Sequence, residues 1–301
     1  MAPAAITIGV PVFNEAEYLA GALEALRTQS CQDIEILIYD NASTDATPQI
    51  AASFVARDPR FHYVRQAENK GPLPNFYDVL RAAKSPYFMW RACDDRADVD
   101  LIERLYRALD ANPHKDLAVA RIVSRDLDGR FPRVYECPAV GEKASFGSRR
   151  RLLFESHQSW YYCLFRREPL LQRTHTVMSR YGHGWAVDHL TLFPFLFDNR
   201  VVCVPETTFH QLMKRVRPPG ASRHPRANLD LALMEALRKR FWAVLADDLA
   251  ERVRSPLARW AYSWLLWFYL GKRVYRFRMV LRRRLMRDLL RRSEAIEATP
   301  G

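Results

Sequence analysis

Short apolar runs alternate with stretches of helical spacing along the first half of the chain. The runs predict four β-strands, at Ile6–Val12, Ile34–Asp40, Phe61–Arg65 and 87–91. The intervening stretches predict helices over 15–29, 44–58 and 75–83. Alternation of this kind is typical of an α/β fold, in which helices cover a mostly parallel sheet. Ligands bind such sheets beyond the carboxyl ends of the strands, so the residues there are the first candidates for a site.

The second half of the chain has a less regular pattern. It predicts strands at 117–123 and 201–206, a strand running into a helix at 160–170, and a helix at 185–197, with 125–151 unassigned. A stretch rich in Pro, Arg and Gly at 215–226 is typical of a loop or boundary, and helices are predicted after it over 229–249 and 256–292. We therefore expect one domain over 1–215 and a helical, basic C-terminal region over 216–301.

The charge of the chain is concentrated in that C-terminal region. The formal net charge is +12, which indicates an anionic partner: nucleic acid, phospholipid headgroups or a phosphorylated substrate. Residues 271–292 contain ten of the Lys and Arg residues and one acid. Their apolar positions recur at helical spacing from Val274 to Leu289, which is typical of an amphipathic helix at a membrane interface. The apolar run at 257–270 falls short of the ~20 residues that cross a bilayer.

We expect these helices to bind an anionic membrane surface through aromatic and basic side chains, namely Trp260, Trp264, Trp267, Arg273, Arg276, Arg282 and Arg283. The alternatives are a helical cap docked on the first domain, a homodimer contact and a nucleic-acid-binding tail. Arginines interleaved with a hydrophobic stripe favour the membrane over nucleic acid. The five cysteines form no CxxC pair and no secretory leader is seen, which predicts free thiols and a cytoplasmic protein, peripheral on the inner face of the cell membrane.

Four segments carry a resemblance to a known family: ITIGVPVFNEAEYLAGALEAL, IEILIYDNASTDAT, ENKGPLPNF and YFMWRACDD. In order and spacing they resemble the nucleotide-sugar half of family 2 glycosyltransferases, over about 5–210. The resemblance implies a GT-A fold, with a nucleotide-sugar half at about 1–123 and an acceptor half at about 124–215. It also implies a nucleoside-diphosphate sugar donor (UDP, GDP or dTDP), inversion at the anomeric carbon, and a glycan or lipid-linked acceptor. A hexosyltransferase of bacterial surface polysaccharide synthesis is the function it suggests.

The same resemblance implies which residues contact the donor: Pro11, Phe13, Glu15, Asp40, Asn41, Asn69, Lys70, Asn75 and Asp94. Glu15 has the alternative role of capping the next helix. Asp94 and Asp95 stand in the family's acidic motif and are expected to bind Mn²⁺ or Mg²⁺ against the diphosphate, with His210 as a further metal contact. The commoner motif has an aspartate where this chain has Ala92, so one ligand or ribose contact is missing. A member that binds donor without turnover is therefore the alternative function.

The acceptor side has candidates of its own. Asp188, in GWAVDHLTL, lies where the family commonly has its general base, and a carboxylate in reach of the acceptor hydroxyl can deprotonate it. Its alternative role is to balance the dipole of a helix N-terminus. His157 and His189 are rival bases, and Arg166 resembles a basic residue near the acceptor. A dinucleotide-binding enzyme is disfavoured because no GxGxxG follows the first strand.

Overall fold

The computed structural model describes residues 4–126, 132–213 and 231–274, together with Leu281 and Leu285. The chain divides into two compact units, one of 1–179 with 191–215 and one of 180–190 with 216–301. The segment 180–190 thus belongs to the same unit as the C-terminal helices, whereas the sequence pattern grouped it with the first domain. The predicted Arg276, Arg282 and Arg283 contacts lie outside the described residues.

The first unit is built on a β-sheet. Its strands are β1 (Ile6–Val12), β2 (Ile34–Asp40), β3 (Phe61–Arg65), β4 (Tyr87–Trp90), β5 (Arg96–Ala97), β6 (Leu117–Asp126), β7 (Arg133–Tyr135), β8 (Leu164–Arg166) and β9 (Val201–Met213). The helices along the chain are α1 (Ala16–Arg27), α2 (Thr47–Val55), α3 (Pro72–Ala82), α4 (Leu101–Asp110), α5 (Phe146–Glu155), α6 (Arg167–Arg180) and α7 (Val187–Phe197). A 3₁₀ helix, Gln158–Tyr162, precedes β8.

Among the described residues, nine strands form one mixed sheet in the order β3-β2-β1-β4-β8-β6-β9-β5, with β7 paired to β6. The strands from β3 to β4 are parallel, β8 is antiparallel between β4 and β6, and β6 runs parallel to β9. Side chains of β1, β2 and β4 are buried on both faces of the sheet. This double burial explains why these strands appear in the sequence as continuous apolar runs.

The differences from the predicted bounds have local causes. α2 begins at Thr47, three residues late, because the preceding polar residues bond to the loop after β1. β9 continues to Met213, beyond its predicted end, and its pairing with β6 shifts register between Ala120 and Arg121.

The second unit contains two long helices, α8 (Leu231–Arg252) and α9 (Pro256–Arg273). One face of α9 is buried, through Tyr262, Leu265, Leu266, Tyr269 and Leu270. The opposite face is also apolar but open, and its exposed side chains are Leu257, Trp260, Trp264, Trp267 and Phe268. Within the described part of the chain, no helix has both the length and the apolar character needed to cross a bilayer.

Candidate active site

Three loops meet at one edge of the sheet because their strands are parallel and in register. Val12 pairs with Asp40 at the ends of β1 and β2, and Gly9 pairs with Trp90 at the end of β4. The loops that follow these strands therefore share the carboxyl edge, where open α/β sheets bind ligands.

The loops after β1 and β2 are joined by hydrogen bonds. The Asn14 backbone N–H donates to the Ser43 hydroxyl at 2.9 Å, and the Thr44 N–H donates to the Asn14 side chain at 2.8 Å. The Ala16 N–H donates to the Asp45 carboxylate at 3.1 Å. Asn14 and Ala42 have positive φ, 53° and 62°, which lets each loop turn sharply after its strand. The polar residues of this region thus fix the shape of the edge.

Asp40 and Asn41 are buried behind the open surface, so the structure does not show the predicted contact with the donor. Asp40 is fully buried, and its carboxylate accepts hydrogen bonds from the Ser43 N–H at 2.9 Å and the Tyr63 hydroxyl at 2.7 Å. Burial and the Asp40 carboxylate raise the pKa of Tyr63 to about 12. Asn41 is 2% exposed and bonds to Asn69, Gly71 and the Lys70 N–H. Both residues hold the loops from behind.

The predicted donor contacts at 69–75 include both buried and exposed residues. Asn75 is buried and donates to the carbonyl of Tyr39 at 2.9 Å, so its amide joins α3 to β2 rather than facing a ligand. Lys70 is exposed, and its ammonium lies 3.2 Å from Gln66 and 3.6 Å from Asp78. Phe13 is 42% exposed at the end of β1, and Pro11 and Glu15 beside it are partly exposed. These residues after β1 remain available to a ligand.

A cavity of about 540 Å³ opens beside the end of β4. One wall is α1, the floor is the segment after β4, and the other wall is formed by the ends of β6 and β9. Its lining residues are Glu17, Tyr18, Gly21, Ala22, Ala25, Cys93, Asp94, Asp95, Arg96, Ala97, Arg125, Asp126, His210, Gln211 and Leu212. A cavity of this size is within the range of small-molecule and cofactor sites.

The two carboxylates of the acidic pair, Asp94 and Asp95, differ in exposure and in their contacts. Asp95 is 6% exposed, and one of its oxygens accepts the Leu212 N–H at 2.9 Å. Asp94 is partly exposed in the cavity. Arg91 is buried beneath the pair and donates to the main-chain carbonyl of Asp95 at 2.8 Å. The turn after β4 is thus fixed on both sides while Asp94 faces the open space.

His210, the further metal contact that the resemblance implied, lines the same cavity. Its Nε2 lies 3.0 Å from a carboxylate oxygen of Asp98, and the other oxygen of Asp98 accepts the N–H of Thr208. Asp98 therefore orients the imidazole by one ring nitrogen. The structure brings Asp94, Asp95 and His210 together at one cavity.

A divalent cation fits this donor set only as an ion shared with a substrate. No group of three or more His, Cys, Asp or Glu side chains is placed to hold a metal within the residues the structure describes. Mg²⁺ is commonly bound in proteins by one or two carboxylates together with substrate phosphates and water. Asp94 and Asp95, which both line the cavity, match that incomplete arrangement.

Arg166, which is predicted to lie near the acceptor, is at the opposite edge of the sheet. It pairs with Tyr87, the first residue of β4, and Tyr87 also pairs with Ile6 at the start of β1. Its guanidinium donates to the carbonyls of Lys115 and Leu109, both at 2.9 Å, and to the Tyr87 hydroxyl at 3.1 Å. All three guanidinium nitrogens are therefore used in packing.

His157 has a local structural contact. Its Nδ1 accepts the N–H of Ser159 at 3.1 Å and caps the 3₁₀ helix, while its ring lies 4.2 Å from the ring of Tyr135. The Nδ1 contact and the packing against Tyr135 therefore fix the orientation of the His157 ring.

Asp188 and His189 lie in the first turn of α7, within the second unit. Loss of solvent raises the pKa of Asp188 to about 6, with a smaller opposing effect of Arg273. The same loss of solvent lowers the pKa of His189 to about 3. His189 is buried against Tyr269, whose hydroxyl donates to the His189 carbonyl at 3.3 Å. A neutral, buried imidazole of such low basicity is a poor general base, so Asp188 is the better candidate.

Several cavity residues were not predicted from the sequence. They are Glu17, Tyr18, Arg96, Arg125, Asp126 and Gln211, with Arg91 beneath them. Adjacency to the acidic motif could have suggested Arg91 and Arg96. The others come from α1 and from the ends of β6 and β9. These elements are distant from the motif in sequence, and the fold brings them to it.

Curated relatives match part of the chain. A glycosyltransferase, GlyA, of Streptococcus pneumoniae is 32% identical over 127 residues, which is 42% of this chain and 18% of that protein. The putative glycosyltransferase EpsH of Bacillus subtilis is 32% identical over 124 residues, 41% of this chain and 35% of its own length. The succinoglycan biosynthesis protein ExoO of Rhizobium meliloti is 28% identical over 130 residues, 43% of this chain and 36% of its own. The chain thus spans less than half the length of these relatives.

Solved structures of similar fold include residues 1–349 of TarS from S. aureus. The TM-score is 0.62 at 15% identity, covering 91% of this chain and 73% of that one. Its complex with UDP-GlcNAc gives a TM-score of 0.60 at 16% identity, covering 81% and 66%. At this level of identity the likeness shows the fold alone, and it confirms the predicted GT-A fold.

The family model for glycosyl transferase family 2 matches residues 7–174, more than half of the chain. The match contains β1 through β4, the acidic pair and the floor of the cavity. The chain belongs to glycosyl transferase family 2.

Proposed function

We propose that the chain transfers a sugar from a nucleoside-diphosphate sugar to a glycan or lipid-linked acceptor. The observation that carries this proposal is the acidic pair, with Asp94 open to a cavity of about 540 Å³ beside the carboxyl end of β4. A family 2 transferase needs such a site for the diphosphate of its donor. The cavity is large enough for a diphosphate and sugar, and exposed Phe13 offers a flat surface for a base at the same edge.

A uridine nucleotide is the first candidate for the donor. TarS, which shares the fold, has been solved with UDP and with UDP-GlcNAc. Pro11 and Glu15 flank Phe13 and offer a backbone carbonyl and a carboxylate to the nucleoside. In this proposal Asp40 and Asn41 act indirectly, by fixing the loops behind these residues.

Asp94 and Asp95 would hold Mn²⁺ or Mg²⁺, with His210 at the same cavity. Such an ion neutralises charge on the leaving nucleoside diphosphate. The Leu212 N–H and the Arg91 contact keep the turn in place, so that Asp94 can be aimed without a change of backbone. Preorganised charge of this kind lowers the barrier because little reorganisation is needed during the reaction.

Asp188 is the proposed general base. With a pKa of about 6 it is ionised at neutral pH and still basic enough to take a proton from an acceptor hydroxyl. The hydroxyl oxygen attacks the anomeric carbon as the bond to the diphosphate breaks, and the proton passes to the carboxylate. One direct displacement inverts the configuration, and no covalent intermediate forms.

Other features of the chain support a proposal for its acceptor and its location. The open apolar face of α9 carries three tryptophans, and the sequence beyond it is rich in arginine. These features support docking on an anionic membrane surface, on the cytoplasmic face, where lipid-linked acceptors are reached. ExoO, a relative, is named for succinoglycan biosynthesis. A role in bacterial surface polysaccharide synthesis is therefore proposed for this chain.

Thermal unfolding with UDP, GDP and dTDP, each with Mn²⁺ or with EDTA, tests the donor assignment. A nucleotide at a hundred times its Kd stabilises the folded chain by about 2.7 kcal/mol. We expect a rise of Tm with one of the three, reduced in Asp94→Ala. An unchanged Tm with all three nucleotides in the wild type would refute the donor proposal.

A further inference from the structure

Two arginines of the cavity have no partner. Arg96 and Arg125 are exposed, and neither guanidinium group makes a hydrogen bond or ion pair with any residue in the described part of the chain. Other arginines of this chain are engaged: Arg60 with Asp58 at 2.6 Å and Arg104 with Asp100 at 2.5 Å. Both guanidinium groups can therefore bind an anionic ligand, although the lining also contains the acids Glu17, Asp94, Asp95 and Asp126.

The sheet register places both arginines on one face. Arg96 pairs with His210 across β5 and β9, and Arg125 pairs with Leu212 across β6 and β9. Paired residues point to the same face of a sheet, and so do residues two apart on one strand. The two arginines therefore flank β9 on the cavity side, about 10 Å apart laterally. Long, flexible side chains can converge on one ligand from that separation.

The acidic motif has two carboxylates, Asp94 and Asp95, and position 92 is an alanine. Buried Arg91 lies directly beneath the pair and reduces their field. A weaker negative field lowers the attraction for a cation, and the two arginines raise the attraction for an anion. Guanidinium groups bind phosphate oxygens with paired, charge-assisted hydrogen bonds.

We propose that Arg96 and Arg125 form a phosphate subsite that binds the diphosphate of the donor directly, so that nucleotide binding survives removal of divalent cations. The inference rests on the proposed function and adds a second source of positive charge to it. The arginines hold the diphosphate in the ground state, and Asp94 with its cation serves the leaving group. Chelation is then expected to abolish transfer while leaving much of the binding.

Calorimetric titration in EDTA tests the subsite without any turnover. The probes are the nucleoside diphosphate selected by the thermal screen and its nucleoside, which lacks phosphate. Arg96→Ala and Arg125→Ala should each weaken binding of the diphosphate by about tenfold, the scale of one charge-assisted hydrogen-bonded contact, and leave nucleoside binding unchanged. Arg107→Ala is the matched control, since Arg107 is exposed on α4 and ion-paired with Glu103. Circular dichroism and Tm verify that each variant is folded.

The possible results separate the two proposals. If the wild type binds the diphosphate only with Mn²⁺, and both arginine variants then bind it as tightly, the subsite is refuted while the donor assignment stands. Equal losses for the diphosphate and the nucleoside would also overturn the subsite, because the effect would not concern phosphate. If the wild type binds no nucleoside diphosphate under either condition, both proposals fail.

Discussion

Two neighbouring ionisable side chains respond in opposite ways to the same loss of solvent. Desolvation disfavours the charged form of each, so it raises the pKa of Asp188 to about 6 and lowers that of His189 to about 3. At neutral pH the first is an ionised base and the second a neutral imidazole. The surroundings of Asp188 therefore favour it over His189 among the three candidate bases predicted from the sequence.

This difference predicts the pH dependence of transfer. The base must be ionised, so kcat should rise with pH through about 6 and level off above it. Asp188→Asn should lower kcat by about 10²–10⁴-fold without changing nucleotide affinity. The measurement is a rate profile from pH 5 to 8, with a parallel titration of the nucleotide. His189→Gln is the control, and its kcat should still rise with pH through about 6. A profile that is flat through pH 6 would argue against Asp188.

The two carboxylates of the motif should respond differently to substitution. Asp94→Asn removes a charge from the cavity and keeps a polar side chain of the same size there, so transfer should fall while Tm changes little. Asp95→Ala also removes the acceptor of the Leu212 N–H, which is expected to cost about 1–3 kcal/mol of stability.

Transfer assays and urea unfolding of both variants check this contrast. Glu17→Gln is the matched control, because Glu17 is an acid of the same cavity outside the motif. Equal loss of transfer in the Glu17 and Asp94 variants would indicate a general charge effect rather than a motif-specific one.

Residue type and position alone could not separate ligand contacts from structural polar groups. Asp40 and Asp94 both follow strands at the same edge, yet Asp40 turns back to the Ser43 N–H and Tyr63 while Asp94 faces the cavity. Arg166 resembled an acceptor residue but is fixed at the far edge by an antiparallel strand. The direction of a polar side chain depends on donors brought from distant segments, which a local pattern does not contain.

At the scale of elements, the sequence was most informative where strands are buried on both faces. β1 and β2, which are buried on both faces, have the bounds that their apolar runs predicted, and so does the shorter, more exposed β3. β8 is only three residues long, and β9 is irregular where it passes Ala120 and Arg121 of β6. Their lengths are set by pairing with strands far away in sequence, so no local period marks them.

Close packing of β1 against β4 predicts the effect of filling Gly9. A Cβ at Gly9 would lie 2.6 Å from Cζ of Phe88, which is fully buried. Gly9→Ala should therefore destabilise the fold by about 1–3 kcal/mol, the usual cost of overpacking. Gly21→Ala is the control: its Cβ meets nothing within 4 Å, and alanine should stabilise α1 by about 0.5–1 kcal/mol. Urea unfolding measures both, and a neutral Gly9→Ala would show that Phe88 can shift.

The open face of α9 predicts lipid binding that depends on its tryptophans. Trp260 and Trp264 are 64% and 54% exposed. Their joint replacement by Gln should lower partitioning onto vesicles containing anionic lipid by tenfold or more, since each ring contributes buried apolar area at the interface. Phe146→Gln is the control, because Phe146 is 48% exposed in α5.

Cosedimentation with anionic and with neutral vesicles measures this loss, and light scattering measures the oligomeric state. The double variant could still bind anionic vesicles but be monomeric where the wild type is a dimer. The face would then be a contact between copies instead of a membrane surface.

At the scale of the whole molecule, the resemblance predicted the family and the GT-A fold because its four motifs surround one sheet edge. It did not predict that 180–190 groups with the C-terminal helices. That grouping depends on contacts across some sixty to ninety residues: Tyr181 packs edge-on against Phe241 at 5.8 Å, and Tyr269 bonds to the His189 carbonyl. Because the partners of 180–190 are so distant in sequence, no local pattern indicates which unit this segment belongs to.

The predicted domain boundary at residue 215 should therefore be a poor place to end the chain. A protein of residues 1–215 retains 180–190 but loses Phe241 and Tyr269, so the side chains of Tyr181 and His189, now 1% and 6% exposed, lose the cover that these residues provide. Exposing a large apolar side chain costs about 1.5–3 kcal/mol, a substantial share of a domain's stability. We expect the 1–215 chain to unfold at lower urea concentration than the full chain and to aggregate on heating. A chain ending at Val274 keeps α8 and α9 and serves as the control. Equal midpoints and equal cooperativity for 1–215 and the full chain would mean that the first 215 residues fold independently and that the contacts of 180–190 with the C-terminal helices contribute little to stability.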